Sequence, residues 1–101
     1  MALFGFGKKS VSNKEIENVV FSHFQKIGSP SDIGQKIHEE KFIKMLNELD
    51  KWAEDQGLGN WKRSSINGSI EAILRNTYRN TGVDNIVSAY LKMSNKIIMK
   101  M

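Results

Sequence analysis

The stretch Lys36-Ile37-His38-Glu39-Glu40-Lys41-Phe42-Ile43-Lys44-Met45-Leu46-Asn47-Glu48-Leu49-Asp50-Lys51-Trp52-Ala53-Glu54-Asp55 decides the fold class. Ile37, Phe42, Met45, Leu46, Leu49, Trp52 and Ala53 recur at the i, i+3, i+4, i+7 spacing of one helix face. Glu40, Lys44, Glu48, Lys51 and Asp55 occupy the other face with mixed signs, as a solvated surface does. Gly57 stops the pattern. The spacing predicts a helix over about residues 36–55.

Working outward, the same periodicity recurs three more times. Ile16, Val20, Phe24 and Ile27 form a stripe over about residues 13–27, widened by Val19 and His23. Ser12 with Glu15 three residues on is a capping box at its start, and Gly28 followed by Pro30 is a stop signal. Ser31-Asp32 reads as the cap of a short turn. Gly57-Leu58-Gly59-Asn60-Trp61 reads as a loop whose two large apolar side chains tuck under the bundle. Ile66, Ile70, Ile73, Leu74, Thr77 and Tyr78 then mark a third helix ending near Gly82, with Gly68 inside the pattern and Tyr78 looking inward. Ile86, Val87, Tyr90, Ile97 and Ile98 mark a fourth from about Asp84, with Lys92, Lys96 and Lys100 outside. No run alternates with period two. The expected fold is an all-α four-helix bundle with short loops, its chain neighbours antiparallel. Residues 1–11 are expected to form an apolar N-terminal tail and residues 12–101 a single helical domain.

Composition narrows the function. The chain has 101 residues, no cysteine and two histidines, which removes disulfides, cysteine-based zinc sites and thiol nucleophiles. Neither His23 nor His38 has a ligand partner at i+3 or i+4, so both read as structural, and neither metal nor cofactor is expected. Glu39 and Glu40 are adjacent on a helix and diverge by about 100°, which is no carboxylate dyad. Gly5-Phe6-Gly7-Lys8-Lys9-Ser10 has the wrong spacing for a phosphate loop and no preceding strand. The chain reads as a non-enzyme. No apolar window approaches the ~20 residues of a membrane span, and neither a secretory signal order nor a lipidation site is present. The expected location is cytoplasmic. Leu3, Phe4 and Phe6 are expected to pack against the bundle rather than to enter a membrane surface.

Charge is unevenly placed. Residues 1–55 hold eight Lys/Arg and nine Asp/Glu, a balance of −1, and residues 56–101 hold seven and two, a balance of +5. A cationic face is expected around Trp61, Lys62, Arg63, Arg75 and Arg79, because Trp and Arg dominate binding hot spots once desolvated. The leading expectation is a small protein-binding domain, most concretely an immunity-type inhibitor that occludes a toxin or enzyme partner. Glu40, Glu48, Asp50, Glu54 and Asp55 keep open a version in which an acidic face mimics phosphates. The alternative is a nucleic-acid-binding accessory protein using the basic residues of 61–100, with salt-dependent affinity. A helix-turn-helix is disfavoured by the long second helix and the lysine-striped last one. A second copy of the chain remains a further possible partner, since an apolar tail and a small core can both be completed by one.

Overall fold

Among the described residues, four long helices alternate in direction along the chain, and a single helical turn sits between the first two. The computed structural model describes residues 11–79 and 84–101. Its helices are α1 (Asn13–Ile27), α2 (Pro30–Ile33), α3 (Gln35–Asp55), α4 (Asn60–Thr77) and α5 (Asp84–Ile98). Among the described residues there is no strand, and the fold is the expected all-α bundle. The expected apolar tail, apart from Val11, and the expected stop at Gly82 lie outside the described residues. Val11, assigned to the tail by sequence, is buried against the core.

The ends of α1 and α2 follow from local chemistry. Ser12 Oγ accepts from the Glu15 amide at 3.1 Å, and Glu15 Oε1 accepts from the Ser12 amide at 3.4 Å. Gly28 takes φ 77°, a conformation favouring glycine. Pro30 does not forbid a restart here. It opens α2 at the first helical position, where its missing N–H costs nothing, and Ser29 rather than Ser31 supplies the cap.

In α3 the core line is His38, Phe42, Met45, Leu46, Leu49 and Ala53, and Ile37 is exposed. Ile37 lies five residues before Phe42, about 140° off the buried stripe, whereas His38 lies four before it. In α4 the core line is Arg63, Ile66, Ile70 and Leu74. That helix begins at Asn60, earlier than the isoleucine pattern suggests, because an arginine fills its first core position. The linker therefore shortens to residues 56–59, with Gly57 at φ 67° and Leu58 half-buried, and Trp61 stands on the helix, 81 % exposed, instead of tucking under it.

The helices form a ring in the order α1, α3, α5, α4. Consecutive long helices are antiparallel, as expected, but α3 and α4 face each other across the ring. As a result α1 and α4 lie side by side and parallel: Asn13 meets Lys62 and Ser65, and Phe21 lies level with Ala72 and Ile73. At the centre Phe42 and Tyr90 stack with ring centroids 4.3 Å apart, flanked by Phe24 and Tyr78.

Candidate interaction surface

Arg63 organises one end of the bundle. It is 5 % exposed. Its Nη1 donates to Asp50 Oδ1 at 2.8 Å and to the Ile98 carbonyl at 2.9 Å, and its Nη2 donates to Glu54 Oε2 at 2.8 Å. Lys100 Nζ donates to the second Asp50 oxygen at 2.8 Å. The planar guanidinium thus joins the C-terminal part of α3, the first turn of α4 and a late carbonyl of α5, a geometry an ammonium cannot reproduce. Burial on its own raises the Asp50 pKa, but hydrogen bonds from Lys100 and Arg63, and their charges, outweigh it and hold the carboxyl below its ordinary value.

Two expectations change as a result. Arg63 belongs to the interior and does not join an exposed cationic face. Asp50 and Glu54 are engaged by Arg63, and Asp55 by Lys51 at 3.3 Å, so the acidic stripe of α3 is largely occupied within the chain.

Trp61 stands two residues before Arg63, 200° away around α4. The burial of Arg63 therefore turns Trp61 outward. From Trp61 the same outer line of α4 runs through Ser65, Gly68, Ala72 and Arg75. The small side chains in its middle lower the surface, and α1 supplies the opposite wall. The result is an open groove of about 620 Å³ between α1 and α4, from Asn13 and Ser65 at one end to Phe21 and Ile73 at the other. Phe21, 54 % exposed, stands on its rim. A Cβ on Gly68 would meet no atom within 4 Å, so the glycine keeps the groove open rather than allowing a close helix approach.

The remaining expected residues are spread along this helix. Lys62 is half-buried and donates to Asn13 Oδ1 at 3.4 Å, which ties α4 to the start of α1. Arg75 is exposed but donates from Nε to Glu71 Oε2 at 2.9 Å. Arg79 is exposed just beyond the end of α4. Trp61 and Arg75 lie about 21 Å apart along the axis. They do not form a single cluster, and both lie on the α4 line beyond the groove's lining, which on that helix is Ser65, Gly68, Ser69, Ala72 and Ile73. Phe21 and the Ser65, Gly68, Ala72 floor were missed by sequence reasoning, although the i, i+3, i+7 run of small residues is visible there.

A second polar network lies inside. Tyr78 Oη donates to Gln35 Oε1 at 3.1 Å, and Gln35 Nε2 donates to Tyr90 Oη at 2.8 Å. Tyr90 Oη then lies at hydrogen-bond distance, 2.9 Å, from His38 Nδ1. His38 is 2 % exposed, and burial lowers its pKa by disfavouring the charged ring. Burial also raises the Tyr90 hydroxyl, reinforced by Tyr78. Gln35, His38 and Tyr90 thus lend polar specificity to one part of a mainly apolar interior. Among the described residues no three His, Cys, Asp or Glu side chains gather to hold a metal, and no helix is long and apolar enough to cross a membrane.

No family model, curated protein or solved structure matches this chain.

Proposed function

We propose that this chain is a non-catalytic protein-binding domain that receives its partner in the α1/α4 groove. Its concrete form is an immunity-type inhibitor that neutralises a toxin or enzyme by occlusion. The observation that carries this reading is Trp61, held 81 % exposed by the burial of Arg63 behind it, one helical turn before Ser65 where the groove begins. An exposed tryptophan beside a concave strip of small residues, with Phe21 on the far rim, has the composition of a binding hot spot. Asn13, Glu17, Asn18 and Ser69 line the groove with polar groups, as the rim of an interface does. With Arg63 inside and Arg75 paired to Glu71, fewer free cations remain to favour a nucleic-acid face.

Affinity capture of the tagged chain from its own cells, after nuclease treatment, tests this reading. One stoichiometric protein is expected with the wild-type chain and is lost with Trp61→Ala and with Phe21→Ala. If that protein is an enzyme, adding the purified chain abolishes its activity. A nuclease-sensitive capture that both variants retain rejects the reading and moves attention to Lys62, Arg79, Lys92 and Lys96.

A further inference from the structure

On the side of α1 away from the groove, the antiparallel α1/α3 pair encloses a cleft of about 180 Å³. Lys26 enters it from the last turn of α1, and Lys41 and Lys44 enter it from α3. The buried side chains of Ile27 and Met45 contribute to its lining. His23 stands at the edge: its Nδ1 donates to the Val19 carbonyl at 2.8 Å, which turns Nε2 towards Glu48 at 3.9 Å. Glu48 is the one carboxylate in the lining.

The three ammonium groups have no carboxylate partner among the described residues. For Lys44 this is informative. Glu40 and Glu48 lie four residues before and after it, the spacing at which helical ion pairs form, yet Lys44 pairs with neither and lines the cleft. Lys41 and Lys44 are themselves i, i+3 neighbours on α3, where like charges repel. Lys26 brings a third positive charge from the opposite wall. An anion in the cleft relieves this repulsion, and a tetrahedral oxyanion accepts from several ammonium donors at once. A neighbouring recess of about 350 Å³ shares His23 and Lys26 with the cleft and is walled by the half-buried Trp52. An aromatic ring attached to the anion has a surface to meet there.

We propose that the α1/α3 cleft binds the phosphate or diphosphate group of a small soluble ligand through Lys26, Lys41 and Lys44. This site uses the other side of α1 from the protein-binding groove and stands or falls independently of it.

Titration of the full chain with inorganic pyrophosphate, followed residue by residue by amide NMR, tests the proposal. The expected result is saturable shifts centred on Lys26, Lys41 and Lys44, with affinity reduced about tenfold or more in Lys41→Glu/Lys44→Glu. Lys92→Glu/Lys96→Glu makes the same change of net charge on α5 and retains most of the affinity. A parallel titration with ADP distinguishes the sources of the phosphate: tighter binding with shifts at Trp52 indicates a ligand carrying a ring, and equal binding indicates the phosphate group alone. Equal loss in the two double variants, or shifts scattered over all exposed lysines, overturns the proposal.

Discussion

Arg63 Nη1 and Asp50 Oδ1 lie 2.8 Å apart at the point where α3, α4 and α5 converge. This contact turns a charged residue into part of the core and fixes the rotation of α4. The direction in which Trp61 points follows from it.

Arg63→Ala is expected to destabilise the fold by about 3 kcal/mol, the lower end of the range for removing one member of a buried ion pair. The lower end applies because Asp50 keeps Lys100 and because the Glu54 side chain is largely solvated. Arg63→Lys recovers only part of the loss, since one ammonium cannot serve Asp50, Glu54 and the Ile98 carbonyl together. Urea denaturation of both variants measures the two values.

Stability is expected to fall with acid through two groups, His38 and Asp50. Folding lowers the His38 pKa, so the unfolded chain binds this proton first. Stability is therefore complete above about pH 6.5 and declines as pH falls from there towards the folded value. Folding also lowers the Asp50 pKa, so its contribution is present above about pH 3.8 and is lost as pH falls through the folded value. Denaturation midpoints between pH 7 and pH 5 measure the first effect, and His38→Gln is expected to flatten that slope while leaving the Asp50 contribution in place.

Much of this architecture is legible in the sequence, because aliphatic periodicity reports burial directly. The bounds of α1 and α3 and the inward position of Tyr78 follow from it and from the Ser12–Glu15 cap. Periodicity fails where a polar side chain fills a core position. Arg63 and His38 both lie on buried lines at helical spacing, but hydropathy assigns them to the surface until their partners Asp50, Glu54 and Tyr90 are known. Those partners are 9 to 52 residues away in sequence, so no local pattern reveals them. Misreading Arg63 also places the start of α4 too late and turns Trp61 inward. The groove depends on the ring order of the helices, and in particular on α1 and α4 lying parallel, which connection lengths do not specify.

Gly68→Ala is expected to stabilise the fold by about 0.8 kcal/mol, since glycine is a poor helix former and the added methyl meets open space. Gly68→Leu is expected to keep the fold while its side chain fills the groove and weakens partner capture. Thermal unfolding together with capture yield separates the two effects. A loss of stability in Gly68→Ala contradicts the open groove.

Site-specific photocrosslinking in the protein's own cells tests the binding groove most directly. A photoreactive side chain is placed at position 61, at position 72 inside the groove, or at position 92 on exposed α5 as a control. One nuclease-resistant protein adduct, the same at positions 61 and 72 and absent at position 92, is the predicted result. The same adducts at all three positions, or none at positions 61 and 72, would contradict the assignment of the α1/α4 groove as the binding site.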